Sequence, residues 1–222
     1  MISPLNIDRN LHRKIIGYLG VLTPFILVFG SFAFGCNIAQ ESISDYYHTD
    51  VQHIFSWIVI VIGIFFLTYP ILEDYKTDKK PFRIGGIMAL FIAFFPTNFK
   101  DINNCTCQSS TLGNFQITGY IHNIAAVAFF LILSYICIFL FTKTNPLKKI
   151  SNNKKTCNRF YRFSGFTILT CIILIIIYVS WAKEKFSQLH ELRPIFILES
   201  IALLFFGLAY LIKGGSFLKK NN

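Results

Sequence analysis

An uncharged apolar run, AAVAFFLILSYICIFLF, occupies residues 125–141 and decides the fold class. A second run, FTILTCIILIIIYV, occupies residues 166–179 and also carries no charge. A helix that crosses a bilayer needs about 20 mainly apolar residues. Long apolar runs without charge are typical of such helices. Both runs therefore predict membrane-spanning helices.

Working outward from these runs, the remaining apolar segments extend the same pattern along the chain. Only 14% of the 222 residues are charged, whereas a soluble domain carries about 25%. The pattern predicts six spans at about residues 15–36, 53–72, 84–99, 117–142, 163–182 and 195–212. Pro96 is expected to kink or end the third. Because the connections are too short to fold alone, we predict an all-α fold: one domain, 1–222, forming a bundle of six transmembrane helices.

The basic residues predict the orientation of this bundle. Seventeen of the 21 Lys and Arg lie before span one, between spans two and three, between spans four and five, and after span six. Since basic residues favour cytoplasmic connections, we expect both termini in the cytoplasm. We expect the protein in a cell membrane, such as the inner membrane of a bacterium. Despite the net charge of +10, this clustering indicates membrane lipids and no nucleic acid as partners.

Aromatic and small residues support the same arrangement. Amphipathic aromatic residues concentrate at membrane–water interfaces, and five fall near the predicted outer boundary: Tyr46, Tyr47, Trp57, Tyr178 and Trp181. Small residues permit close approach of membrane helices, and we expect contact faces at Gly85, Gly86, Ala125, Ala126, Ala128, Gly207 and Ala209.

A polar stretch, ESISDYYHTDVQH, occupies residues 41–53 just before the second predicted span and contains no Lys or Arg. If it is helical and continuous with that span, one sector of about 60° holds Glu41, Asp45, His48 and Gln52. Ser44 flanks this sector, and Asp45 is spaced to hydrogen-bond His48. The alternative is an N-cap, in which Ser42, Ser44 or Asp45 accepts from free backbone N–H groups.

Two further ionisable residues are predicted at the same outer level. His122 begins the fourth span, and Glu199 lies about one turn inside the outer end of the sixth. A carboxylate at membrane depth is costly unless it is paired, protonated or facing a wet cavity. We therefore expect Asp45, His48, His122 and Glu199 to converge, either as a functional pocket or as a structural network between helices.

The cysteines divide between the predicted compartments. Cys36, Cys105 and Cys107 fall on the outer side, where oxidation is possible. We predict that Cys105 or Cys107 is oxidised in a disulfide, and either of them could pair with Cys36 at the outer end of the first span.

The residues SISDYYHT, 42–49, resemble a segment of bacterial multi-span membrane proteins of unknown function, the Frag1/Sfk1-like proteins. More faintly, the run resembles the start of the second span in alkaline-ceramidase-like (CREST) hydrolases. In those hydrolases a serine, an acidic residue and aromatics precede a metal-binding histidine. Their last span carries paired histidines, where this chain has Glu199 and Ser200.

Two function classes follow from these residues. The first is a metal-assisted lipid hydrolase or transferase, with His48 and His122 as ligands of Zn²⁺, which lowers the pKa of its bound water to roughly 7. Its candidate catalytic residues are Asp45, Ser44 and Glu199. The second is a non-catalytic scaffold, receptor or transporter that holds a lipid or small polar ligand at the outer face.

Overall fold

The computed structural model describes residues 9–36, 39–69, 79–98, 116–143, 152–182 and 191–216, and these residues form helices and no strand. The long helices are α1 (Arg9–Ala33), α2 (Gln52–Leu67), α3 (Lys80–Phe94), α4 (Gln116–Tyr135), α5 (Asn152–Ile177) and α6 (Pro194–Lys213). A 3₁₀ helix, Ser44–His48, precedes α2, and π-helical turns extend α4 over Ile136–Leu140 and α5 over Tyr178–Ala182.

A helix lies at each of the six predicted positions, but several boundaries differ. The α5 helix begins at Asn152, well before the predicted start at 163, because Asn, Lys and Arg also sustain a helix. Hydropathy therefore marks the apolar part of this helix and not its hydrogen-bonded length. The α3 helix ends at Phe94, and Phe95 is extended with φ −98° and ψ 118°. This end confirms the effect expected of Pro96, since a proline disfavours helical backbone in the residue before it.

Four helices in the described ranges are long and apolar enough to cross a membrane: Asn10–Ala33, Gln116–Leu140, Asn152–Trp181 and Pro194–Lys213. These four indicate a helical membrane protein. Helix α2 is also apolar but has 16 residues, and α3 has 15.

Glycines bring pairs of helices into backbone contact. A Cβ added to Gly207 of α6 would lie 2.6 Å from the carbonyl oxygen of Gly17 in α1. A Cβ on Gly86 of α3 would lie 2.8 Å from the carbonyl oxygen of Gly63 in α2. The close approach expected at Gly86 and Gly207 is therefore confirmed, and α1 with α6 and α2 with α3 are the most extensively packed pairs.

The bundle has two chemically different ends. At one end, which we call the cap, residues 39–51 and 95–98 meet the first turns of α4 and α6. At the other, which we call the basic end, Arg13 donates to the Tyr69 hydroxyl at 2.7 Å, and the Tyr69 ring stacks on Phe82 at 4.1 Å. The Lys213 ammonium donates there to the carbonyl of Phe141 at 2.8 Å.

Candidate functional site

The polar stretch does not form one helix with α2, so that prediction was wrong. Thr49, with φ −121° and ψ 173°, is extended and separates the 3₁₀ helix from α2. Its hydroxyl donates to the Tyr46 carbonyl at 2.8 Å, a local bond that competes with helix continuation. In a 3₁₀ helix residues i and i+3 eclipse, so Asp45 and His48 still share one side.

The expected N-cap of α2 was wrong, and Ser42 instead bonds the backbone of the 3₁₀ helix. Its hydroxyl accepts from the backbone N–H of Asp45 at 3.0 Å. At the start of α2 the N-cap position is Val51, which makes no side-chain capping bond. The polar residues before α2 therefore fold the cap segment and do not cap the helix that follows.

Glu199 joins the cap segment to α6. Its Oε2 accepts from the backbone N–H of Ile43 at 2.6 Å, and the Phe196 N–H donates to the carbonyl of Glu41 at 2.9 Å. The second bond satisfies one of the free N–H groups in the first turn of α6. The first gives the half-buried Glu199 carboxylate a donor near the helix end, as the cost of burying it requires.

Two histidines bind the chain that leaves α3. His122, fully buried, donates from Nδ1 to the carbonyl of Phe95 at 2.7 Å, and Nε2 of His48 contacts the carbonyl of Thr97 at 2.8 Å. A ring nitrogen that faces a carbonyl carries the proton, so the neutral His122 has its lone pair on Nε2. Among the described residues this buried Nε2 has no hydrogen-bond partner.

Three of the four predicted ionisable residues form one buried group. Asp45 and His48 are 6% and 5% exposed, and both lie close enough to His122 to act electrostatically on its imidazole. Glu199 reaches the same segment through the backbone of Ile43. Each histidine ties chain segments together, as the structural alternative expected, and the functional pocket stays a prediction.

The zinc hypothesis requires several side chains that can ligate a metal ion to lie close together. No group of three or more His, Cys, Asp and Glu side chains, within the described part of the chain, lies close enough together to hold a metal ion. One nitrogen of each histidine is also engaged by a carbonyl. The Zn²⁺ site on His48 and His122 stays a prediction.

An apolar pocket lies beside the cap, lined by residues of the cap segment and of α1, α2, α3, α4 and α6. Its polar lining residues are Thr23, Ser44 and Glu199. The others are Ile43, Phe55, Ile58, Val59, Ile62, Ile92, Ala126, Phe129, Phe130 and Leu203. Asp45, His48 and His122 lie outside this lining, so the predicted site divides between a pocket wall and a buried cluster.

Tyr46 anchors the cap from within and does not lie in an interfacial aromatic belt, which corrects the expectation for it. Its side chain is fully buried, and its hydroxyl accepts from the Gln40 N–H at 3.4 Å and bonds the Ser31 side chain. Burial raises the pKa of Tyr46 above its usual range. Trp57, by contrast, is 67% exposed on α2, and its interfacial position stays a prediction.

Cys36 is disulfide-bonded, which agrees with its predicted oxidation. Cys105 and Cys107 lie outside the described residues. The cysteines at 137, 157 and 171 are free. The disulfide lies where α1 enters the cap, and the Gln40 amide donates to the Cys36 sulfur at 3.7 Å.

Sequence reasoning missed the partners of the polar side chains. The groups that engage His48, His122 and Glu199 are backbone carbonyls and an N–H. Every residue has a backbone carbonyl, so the amino-acid type does not indicate which one will bond a distant side chain. The apolar lining of the pocket was missed for the same reason, since its residues resemble ordinary core residues.

Comparison with protein families, curated proteins and solved structures finds no match for this chain. The resemblances to Frag1/Sfk1-like proteins and to alkaline-ceramidase-like hydrolases remain hypotheses. A function must be argued from the cap and the pocket.

Proposed function

We propose that this chain is a six-span membrane protein that binds a lipid-like amphiphile in the pocket beside the cap. Both termini are cytoplasmic, and the cap lies on the outer face of a cell membrane such as a bacterial inner membrane. The acyl chain of the ligand occupies the apolar pocket, and its head group lies at Ser44 and Glu199. The observation that carries this proposal is an apolar cavity whose few polar residues include a carboxylate.

The shorter helices support the count of six. At 1.5 Å per residue, the 16 residues of α2 extend about 24 Å, against a hydrocarbon thickness of about 30 Å. However, α2 begins at the cap and its chain reaches the basic end, where Tyr69 stacks on Phe82 of α3. The α3 chain returns to the cap, where it meets His122 and His48. Helices that reach both ends of a bundle containing four spans are expected to cross with them.

The lining of the pocket supports an amphiphilic ligand. Small-molecule pockets combine mostly apolar walls with a few placed polar groups. Each methylene taken from water into such a wall gains about 0.8 kcal/mol. The Glu199 carboxylate lines the pocket, and a carboxylate accepts hydrogen bonds through both of its oxygens. A head group with a hydroxyl or an ammonium donor complements that carboxylate.

A second candidate function is hydrolysis of the bound lipid. The observation that favours it is the lone pair on Nε2 of His122, which is buried without a partner in the described chain and lies within range of the Asp45 charge. A histidine in this state can accept a proton from an attacking water. The zinc-assisted form would use His48 and His122 as ligands. Zinc would supply the activated water, and Asp45 would orient or complete the ligand set.

Photo-crosslinking of the purified full-length protein tests the pocket. The probe is lysophosphatidylethanolamine with a photoreactive acyl chain, whose ammonium supplies the donor for Glu199. We expect saturable labelling that Ala126→Phe abolishes, because Ala126 lines the pocket. The control is Ala128→Phe on the same helix, which introduces the same side chain outside the lining. Equal labelling of both variants would rule out this pocket as the site.

Two further measurements separate the candidate functions. Glu199→Gln is expected to weaken binding of the ammonium-bearing probe about tenfold, while binding of a photoreactive fatty acid without that head group changes little. Release of a free acyl chain by wild-type protein, with loss of release in His122→Gln, would identify a hydrolase. Metal content of the same preparation then decides whether zinc takes part.

A further inference from the structure

The pocket beside the cap ends one helical turn before a layer of buried aromatic side chains. Its lining along α2 runs from Phe55 to Ile62, which is about 10 Å at 1.5 Å per residue. On α6 the lining residue farthest from the cap is Leu203. Toward the basic end, the next turns of α2 and α6 carry Phe66 and Phe206, and both are fully buried. The inner end of the pocket therefore faces this layer.

Phe66 of α2 fills the centre of the layer. The centre of its ring lies 5.8 Å from that of Phe129 in α4, which also lines the pocket. The ring centres of Phe206 and Tyr210 in α6 lie 6.1 Å and 5.9 Å from it. These distances are typical of aromatic rings in contact. We call Phe66, Phe129, Phe206 and Tyr210 the aromatic floor of the pocket.

Helices α3 and α1 close the floor on its other sides. The ring of Phe82 in α3 lies 5.9 Å from that of Phe66, and a Cβ added to Gly85 would lie 3.0 Å from Cδ1 of Phe66. A Cβ added to Gly20 in α1 would lie 3.0 Å from Cδ1 of Phe206. The two rings thus occupy space that the glycines leave free. All five helices that line the pocket meet the floor in its next turn or two.

A floor packed in this way limits the length of an apolar ligand. Protein interiors are close-packed, so an added group must displace the side chains that it meets. In a hydrophobic pocket a single methylene changes discrimination by about 10- to 200-fold. An acyl chain that enters from the cap gains contacts until it reaches Phe129. A longer chain has to displace the rings of the floor.

We propose that the aromatic floor sets the longest acyl chain that the pocket accepts, with Phe66 as the residue that determines this specificity. The ligand is an amphiphile whose head group lies at Ser44 and Glu199 and whose acyl chain ends above Phe66. This inference rests on the proposed amphiphile pocket and adds an upper limit of chain length to it. Because Phe129 packs on Phe66, the limit depends on the side chain at position 66 although the pocket lining ends at Phe129.

Competition by amphiphiles of increasing chain length tests this assignment. The purified full-length protein in mixed micelles is labelled with the photoreactive lysophosphatidylethanolamine. Unlabelled lysophosphatidylethanolamines, from hexanoyl to stearoyl, compete at equal mole fraction in the micelle. Because micelle and pocket are both apolar, added methylenes should change competition little until the chain reaches the floor. Beyond that limiting length we expect competition to fall about tenfold or more.

Matched variants locate the limit at the floor. Phe66→Leu makes room below Phe129, so the limiting length should move to longer chains. Leu203→Phe adds volume at the inner end of the pocket, so the limit should move to shorter chains. The control is Phe141→Leu, the same substitution at a buried ring that contacts Tyr210 and does not line the pocket. It should leave the limiting length unchanged.

The outcomes separate this inference from the proposed function. Labelling that no chain length displaces would count against the amphiphile pocket itself. Displacement by every chain up to stearoyl, without a limit, would leave the pocket standing and overturn the floor. An equal loss of competition at all lengths in Phe66→Leu would show a structural role alone and would also overturn it. If Phe66→Leu does not fold, Leu203→Phe decides, and an unchanged limit in that variant refutes the proposal.

Discussion

Replacing Gly207 by alanine tests the close backbone contact between α6 and α1. The new Cβ would lie 2.6 Å from the carbonyl oxygen of Gly17 and 2.7 Å from the backbone nitrogen of Val21. Both atoms belong to the backbone of α1, so no side-chain rotation relieves the overlap and the helices must separate.

The size of the effect follows from two opposing terms. Overpacking costs about 1–3 kcal/mol, and the upper part of this range applies because the blocking atoms are backbone. Alanine in place of glycine within a helix regains up to about 1 kcal/mol. We expect Gly207→Ala to lower the free energy of unfolding by about 2 kcal/mol.

The matched control is Gly30→Ala in α1. Its Cβ would meet only Cγ1 of Val51, at 3.2 Å, so the variant should be as stable as wild type or slightly more stable. The assay is unfolding by sodium dodecyl sulfate in mixed micelles, followed by intrinsic fluorescence. If Gly207→Ala proves as stable as Gly30→Ala, the α1 and α6 backbones are not in contact and the reasoning fails.

Four other predictions concern the orientation and the cap. Reporter fusions after Lys80 and Lys149 should read as cytoplasmic and fusions after Asp50 and Gln108 as external; a cytoplasmic signal at Asp50 would contradict the proposed topology. Mass spectrometry of unreduced peptides should find Cys36 linked to Cys105 or Cys107, and reduction should cost about 2–4 kcal/mol of stability; a free Cys36 thiol would refute the bridge. His122→Leu should cost about 1–3 kcal/mol, because it leaves the Phe95 carbonyl without its donor, while the exposed His53→Leu should cost almost nothing in the same unfolding assay. Since burial raises the pKa of Tyr46, stability should fall as the pH rises through the unfolded value near 10, where the unfolded chain ionises first; a chain with Tyr46→Phe should lose less stability between pH 9 and 11, and an identical loss would contradict that assignment.

The helical class and the positions of the helices could be read from the sequence because they depend on local composition. Apolar runs such as 125–141 identify the spans, and Pro96 ends α3 through a steric effect on its own neighbour. Close approach at Gly207 was also predictable, because the missing side chain is itself the signal. The start of α5 was not, since basic residues continue a helix as readily as apolar ones.

The cap and the pocket depended on contacts between distant segments. Asp45, His48 and His122 were predicted to converge from a topology argument, but the partners that orient the histidines are the carbonyls of Phe95 and Thr97. Since every residue has a carbonyl, the amino-acid sequence does not indicate which carbonyls will bond these histidines. The contacts of cationic side chains at the basic end were not predicted either. Arg13, Lys154 and Lys213 were interpreted as markers of orientation, because a Lys or Arg at a span end is usually solvated. Only the packing of α1, α5 and α6 decides that their charges meet among aromatic rings, since residues from distant parts of the chain become neighbours when their helices pack together.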